Sequence, residues 1–323
     1  PYESFKILSL EKQKILTIPL WLSIYLAIAN ENKQAPVFVN KLELIKKYWE
    51  DRIQALNQLG FSQPEINSAV EHLVTTGSHV MQNGIPENLL DSQYSKIYQA
   101  MISASILAKQ DGKISFFHQA LYDYQLGKKL YEYALVSTEQ FLYAFGDKSQ
   151  QLLTRREHIK YALSLILQTE QKRFADVIWS LLTSENIRFH LKYLALKMLK
   201  EVTEIKKPTE KLINNILQDA TLEKNFIDNC CFGSPILVEF LSNQNYISKW
   251  LASGDEKNID LAIRLLRSVI EARSDLLIQN MNPYFNQSDE WNSRYLNAIW
   301  QPASKDNPEI FEIRKKISKE MTN

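Results

Sequence analysis

Apolar side chains recur at steps of three and four along most of this chain. Leu42, Ile45, Trp49, Ile53 and Leu56 form one such stripe and predict a helix over 41–59, which Gly60 ends. Ser62-Gln-Pro-Glu65 then restarts a helix with Pro64 near its first position, running to about Thr75 with Val70, Leu73 and Val74 inward. Gly77 and Gly84 are read as breaks and Pro86 as the start of another helix. A further helix over 94–108 carries Ile97, Met101, Ile102 and Ile106 on its apolar side. The period changes at one place. Asp111-Gly112 is a hairpin-type dipeptide, and Ile114-Ser-Phe-Phe117 after it is short, aromatic and β-branched, so it reads as a strand paired with Leu107 to Lys109. Phe116 and Phe117, adjacent on that strand, face opposite sides. A long amphipathic helix over 119–135 follows. Helices, a small hairpin and a helix trace the outline of a winged-helix module.

From Thr138 onward every segment is helical, and the links are very short: 155–168, 171–183 and 185–202, then helices opened by Pro208 and Pro235, and others near 246–252, 257–272 and 275–281. Asn186-Ile187, Leu191, Leu194 and Met198 match Asn258-Ile259, Ile263, Leu266 and Ile270 at a constant offset of 72. That offset equals two helix-pair repeats of about 36 residues, as in helical solenoids, and the reading is a HEAT-like stack. The stretch 282–307, rich in Asn, Ser, Pro and aromatic residues, is read as an irregular cap, and 308–319 as a last, basic helix. The fold class expected is therefore mainly α. A helical domain (1–60) and a small winged-helix domain (61–136) precede a HEAT-like right-handed α-solenoid (137–281) and the aromatic-rich cap with its terminal helix (282–323).

Composition agrees with helices. The 323 residues include only 8 Gly and 10 Pro, too few for an all-β fold or for Gly-rich βα turns. Ile15 to Ala29 is uncharged, but it is shorter than the roughly 20 residues of a spanning helix and holds Pro19 near its start, so it is read as a buried core helix. The net charge of +1 predicts no general attraction to nucleic acid or anionic membrane. The two adjacent cysteines, Cys230 and Cys231, cannot form a disulfide framework, which fits a reducing, cytoplasmic setting. They read as a buried small apolar pair, with a reactive thiol as the other reading. A chain beginning at Pro1 is expected to be a piece of a longer protein.

Catalytic motifs are missing. The Gly-Lys pairs at 112–113 and 127–128 have Leu107 and Tyr122 where a P-loop needs its first glycine, and no H-E-x-x-H, C-x-x-C or G-x-S-x-G occurs. His72 and His79 lie two helical turns apart without a carboxylate cluster, so no metal site is assigned.

Two segments carry more information together. Leu16-Thr-Ile-Pro19-Leu-Trp-Leu22-Ser-Ile-Tyr-Leu26 lies about a hundred residues before Ile114-Ser-Phe-Phe117-His118-Gln-Ala-Leu-Tyr122-Asp-Tyr124-Gln-Leu-Gly127. The pairing resembles the C-terminal half of the nucleotide-binding module of STAND-type signalling NTPases, particularly the NACHT group. There a helical domain opens with a Pro-Leu-x-Leu helix, and a winged-helix domain carries a strand ending in Phe-x-His followed by a helix. The resemblance covers roughly residues 1–135; the later helices resemble the repeat-type sensor regions of the family less specifically.

The resemblance implies that Pro19 packs against the adenine or ribose of a bound nucleotide. It implies that His118 contacts the β-phosphate of ADP and holds a closed resting state, with Phe116, Phe117, Tyr124 and Gly127 supporting the motif. Anionic phosphate would favour the protonated ring. Read from the residues alone, Pro19 is a first-turn proline, His118 a packing histidine at a strand–helix junction, and Tyr122 and Tyr124 packing aromatics. The resemblance further implies ADP or ATP with Mg in the parent protein, an NTPase core upstream in the same polypeptide, self-oligomerisation on activation, and a protein or other trigger on the helical repeats. Such proteins serve antiviral or innate-immune-type defence, and the Asn, Lys, Ile and Gln richness fits an AT-rich bacterial genome. The chain alone is expected to be no enzyme, with no catalytic or metal-binding residues.

Two other functions compete. One is a HEAT-like protein-interaction scaffold with no nucleotide role. The other is a winged-helix DNA-binding regulator. Against the latter, residues 61–110 hold Glu65, Glu71, Glu87 and Asp91 against Lys96 and Lys109, where phosphate contacts need a basic surface.

Overall fold

In the computed structural model, which describes residues 8–32, 34–79 and 84–299 with 308, 311, 312 and 315 beyond them, the chain is mainly helical. It divides into two compact units, Pro1–Leu165 and Ile166–Asn323. The terminal helix expected over 308–319 falls largely outside the described residues.

The first unit opens with α1 (Leu10–Leu16) and, after a break at Thr17-Ile18, α2 (Pro19–Asn32). Pro19 takes the first helical position, where its missing N–H costs nothing. No described helix is long and apolar enough to cross a membrane. In α3 (Lys41–Gln58), the Asn40 side chain accepts from Glu43 N at 3.0 Å, and Glu43 reaches back to accept from Val39 N at 2.7 Å. Its end is a Schellman turn: Gly60, at φ +93°, donates to Asn57 O, and Phe61 N donates to Leu56 O. The helix start read at Ser62–Glu65 is present, and the Glu65 carboxylate reaches back to accept from Ser62 N at 2.8 Å and from its hydroxyl at 2.6 Å.

The helix it starts, α4 (Gln63–His79), runs through Gly77 instead of breaking there. A Cβ at Gly77 would meet Ile85 and Tyr122 only at ordinary contact distance, 3.5 Å, so the glycine fits a well-formed helix and a close neighbour. Pro86 does not open an α-helix. It ends β1 (Ile85–Pro86) and leads into a 3₁₀ turn, Glu87–Leu89. A two-residue edge strand leaves no alternation in the sequence to read, and the edge is where a proline is tolerated. The helix read over 94–108 is α5, only Ser95–Ser103, because a second Schellman turn ends it: Ser105, at φ +58°, donates to Ile102 O, and Ile106 N donates to Met101 O.

The hairpin is β2 (Leu107–Gln110) and β3 (Lys113–Phe116), with Gln110 opposite Lys113 and Leu107 opposite Phe116. Asp111 and Gly112 both have positive φ, 52° and 70°, as a type I′ turn demands. The sheet is antiparallel with order β1-β3-β2. Then α6 (Gln119–Val136), α7 (Thr138–Tyr143) and α8 (Arg156–Thr169) follow, the last running across the division between the units. One continuous core, including Trp21, Tyr25, Ile45, Leu56, Ile66, Met101 and Leu121, joins α2 through α6. Residues 137–165, read from the sequence as the first repeats, pack within this unit. At the α6–α8 crossing Tyr124 meets the Tyr161 ring edge-on at 5.9 Å. A Cβ on Gly127 would lie 2.5 Å from Tyr161 Cβ and 2.8 Å from His158 O, so only glycine lets the two helices approach this closely.

The second unit holds α9 (Gln171–Thr183), α10 (Phe189–Lys197), α11 (Lys207–Leu217), α12 (Ala220–Phe226), α13 (Pro235–Asn243), α14 (Tyr246–Leu251), α15 (Glu256–Ser268), α16 (Ser274–Met281) and α17 (Asp289–Ile299). The eleven residues of α17 lie in the stretch read as irregular; its polar composition hides Tyr295, Ala298 and Ile299, which are buried at helical spacing. The matched apolar positions of the 72-residue echo are all buried, but Asn186-Ile187 precede α10 whereas Asn258-Ile259 lie inside α15. A clearer period lies in the polar links. Thr209 donates to Gln171, Tyr193 to Asn229, Cys230 to Leu196 O, Gly233 N to Ser268, Gln244 to Glu210 and Asn280 to Ser242 across 34 to 38 residues, and Gln171 to Glu204 O, Lys200 to Phe232 O and Ser248 to Asn280 across 32 or 33. Helices one such interval apart thus lie side by side.

Gly127→Ala is expected to lower stability by about 1–3 kcal/mol through overpacking at the crossing, whereas Gly77→Ala is neutral or stabilising by up to about 1 kcal/mol. Urea unfolding of both variants checks the pair; a neutral Gly127→Ala would contradict the close approach. Burial pushes the Cys230 thiol up to about 12 and the Cys231 thiol well above its ordinary value. Both should resist a thiol reagent in the native chain and react once denaturant is added.

Candidate functional site

The α2 helix presents Leu20, Ser23, Ile24 and Ala27 along one side, at steps of three and four, to a pocket of about 220 Å³. Tyr48 and Arg52, four apart on α3, form a second wall. Ser105, in the left-handed turn after α5, contributes the third. Phe117, His118 and Leu121, from the end of β3 and the start of α6, close it. Two segments a hundred residues apart in sequence therefore meet around one cavity.

Several contacts fix the polar groups. Tyr48 Oη donates to Ser105 O at 3.0 Å, which ties α3 to the strained turn. The Arg52 guanidinium lies over the Tyr48 ring, 4.7 Å from its centroid, a stacking that presets the planar head. Ser23 Oγ donates to Leu20 O at 2.8 Å within its own helix. His118 is the N-cap of α6, with Nδ1 accepting from Ala120 N at 3.1 Å. A nitrogen that accepts carries no proton, so the neutral ring holds its proton on Nε2. Burial pushes the His118 pKa below the ordinary imidazole value, and the Asp123 carboxylate opposes that shift more weakly.

The expectation that a phosphate would favour the imidazolium thus meets two opposing constraints. Burial disfavours the charge, and a proton on Nδ1 would break the cap. The chemistry His118 offers from its ground state is one neutral Nε2–H donor.

The other sequence-predicted residues are placed as follows. Pro19 is exposed at the start of α2 and does not line the pocket; its neighbour Leu20 does. Phe117 lines it and is 57% exposed, while Phe116 is half-buried against the Tyr122 ring, 5.7 Å away. Tyr124 is buried at the α6–α8 crossing, its hydroxyl pKa pushed up to about 12 by burial, and Gly127 belongs to the same crossing. Neither touches the cavity.

Tyr48, Arg52 and Ser105 escaped the sequence reading. The one available signal was Arg52 beside the apolar stripe of α3, four residues from Tyr48. Asp123 and His158 escaped it too. Asp123 is buried and accepts from His158 Nε2 at 2.9 Å and from Gln119 Nε2 at 2.8 Å, which joins α6 to α8.

Among the described residues the lining has a guanidinium, an imidazole N–H, hydroxyls and an apolar wall, and no carboxylate or thiol. Among these residues there is no nucleophile paired with a base. Among the described residues no His, Cys, Asp and Glu group could hold a metal ion. No family model, curated protein or solved structure matches this chain.

His118→Ala is expected to cost about 0.5–2 kcal/mol through loss of the cap, and His118→Asn to recover most of it, because Asn is a good N-cap. The depressed pKa gives a sign. The unfolded ring takes a proton near 6.5 and the folded ring only below that, so the stability His118 contributes is present above that pH and is lost as pH falls. Urea unfolding at about pH 5 and about pH 7.5 checks this: the acid-side loss should shrink in His118→Asn.

Proposed function

We propose that the chain is the regulatory and sensing segment of a STAND-type signalling NTPase of the NACHT group, coupling an ADP-bound resting state and an ATP-bound active state to ligand sensing and oligomerisation. The observation that carries this reading is the shared pocket. The helix opening with Pro19-Leu20 and the strand end bearing His118 face one cavity, although nothing in the chain sequence requires them to meet. The antiparallel β1-β3-β2 sheet, with α4 and α5 before its hairpin and α6 after it, supports a winged-helix assignment. The polar links at 32 to 38 residues support a HEAT-like solenoid for the second unit.

In this reading an NTPase core in the same polypeptide supplies the P-loop and Mg, and the segment itself hydrolyses nothing. The winged-helix unit holds the nucleotide's phosphate end through His118. Exchange of ADP for ATP releases that contact and frees the unit to move, as a ligand-biased two-state switch. The second unit takes the trigger. Cytoplasmic defence signalling is the setting that fits.

Two measurements test it. The residues preceding Pro1 in the parent gene should contain G-x-x-x-x-G-K-[ST]. In that parent, His118→Ala should lose at least about tenfold of the ADP that co-purifies, a change of about 1.4 kcal/mol, and should raise the oligomeric fraction. Unchanged ADP and unchanged oligomer would leave the HEAT-like scaffold without a nucleotide role.

A further inference from the structure

The outer face of α10 carries a charge that the chain as a whole does not. Residues 188–200 hold Arg188, Lys192, Lys197 and Lys200 and no carboxylate, in a chain whose net charge is +1; Glu185 and Glu201 bound the run. The inner side of this stretch is apolar, with Leu191, Leu194, Ala195 and Met198 all buried. Phe189, Lys192, Tyr193 and Lys197 recur at steps of three and four, so they share the other face, and Lys200 follows in the 3₁₀ turn Met198–Glu201. Phe189 is 83% exposed, with the His190 ring edge-on to it at 5.9 Å.

The lysines of this face have uncharged neighbours. Lys197 Nζ lies over the Tyr193 ring, 4.5 Å from its centroid, and Lys200 Nζ donates to Phe232 O at 3.0 Å. Among the described residues no carboxylate lies within ion-pair distance of Lys192, Lys197 or Lys200. Elsewhere in the chain Lys46, Lys109, Lys129 and Lys206 each have one. Three uncompensated ammonium groups beside one open ring call for an anionic partner with an apolar contact. A single-stranded nucleic acid stacks its bases on several open aromatic faces. Here Lys197 covers a face of Tyr193, whose hydroxyl donates to Asn229 at 2.7 Å, and Phe189 is left as the one platform on this helix. A membrane surface needs a broad apolar helix face, and that face of α10 is spent on the core. A protein segment needs only one apolar anchor and several carboxylates.

We propose that this face of α10 docks an acidic peptide segment of a partner protein, with Phe189 as its apolar contact and Lys192, Lys197 and Lys200 as its charged rim. The surface lies wholly in the second unit and stands without the nucleotide pocket; it rests on the reading above only in that the partner would be the trigger of that unit.

The test titrates the amide-labelled chain, followed by NMR, with synthetic peptides of repeating Glu-Glu-Leu-Phe, of Lys-Lys-Leu-Phe and of Glu-Glu-Ser-Ser, and with oligo-dT. The Glu-Glu-Leu-Phe peptide is expected to shift the amides of α10 saturably and to bind at least about tenfold more weakly at 300 than at 50 mM salt. The Glu-Glu-Ser-Ser peptide should bind more weakly, and the lysine peptide should leave the α10 amides in place. The double variant Lys192→Glu with Lys197→Glu should weaken the acidic peptide about ten- to hundredfold, and Phe189→Ser about tenfold. Both changes are on the outer face, and an unchanged spectrum away from α10 shows that each variant folds. Absence of any α10 shift at about 1 mM Glu-Glu-Leu-Phe peptide, where even a millimolar site would half fill, overturns the proposal. So does equal binding by wild type and the double variant, or a stronger α10 response to oligo-dT than to the acidic peptide. If α10 takes the acidic peptide but His118→Ala leaves ADP and oligomer unchanged in the parent, this surface stands and the nucleotide reading fails. If His118→Ala loses ADP but the α10 variants bind as wild type does, the nucleotide reading stands and this surface fails.

Discussion

The register of one short hairpin governs the first unit. Asp111 and Gly112 both occupy left-handed backbone, which closes a two-residue turn and sets Gln110 against Lys113. With that register Ile114 points into the core, where it also pairs with Ile85 of the edge strand. A slip by one residue would turn Ile114 outward and exchange the faces of every side chain after it. The strand then ends where Phe117 and His118 reach the pocket, and His118 caps α6. The direction of α6 in turn brings Asp123 to His158 and Gly127 to Tyr161. Pocket, cap and helix crossing thus follow from one turn.

His118 concentrates two duties in one ring. As a cap it satisfies a backbone N–H that would otherwise lack a partner at the helix start, and this fixes which nitrogen carries the proton. As a pocket residue it then has a single donor to give. Burial disfavours the charged ring, so what it offers the pocket is an N–H without a charge.

The second unit is organised by a different constraint. Short helices leave many polar groups at their ends and seams, and buried polar groups require partners. Here the partners come from the helix one interval further along the chain. Asn280, Thr209 and Cys230 are buried and each bonds to a group 34 to 38 residues away. These links fix the stacking order in a way that interchangeable Leu and Ile side chains do not.

The sequence by itself marked most of the helices and the one hairpin, though not every break between them. Steps of three and four marked α3, Ser62-Gln-Pro-Glu65 marked the start of α4, and Asp111-Gly112 marked the hairpin, because each signal is local and completed within a few residues. It also singled out His118 and the helix at Pro19. The structure alone decided what those segments share. Arg52, Tyr48 and Ser105 gain their meaning from a cavity built by elements far apart in sequence, and no local pattern records such a meeting. The edge strand Ile85–Pro86 exists because β3 offers it a partner, and α17 because a few buried residues find a core. The need for glycine at 127 arises only where a second helix crosses it. Local propensity writes the elements into the chain; which side chains face one another is settled by packing over long sequence separations.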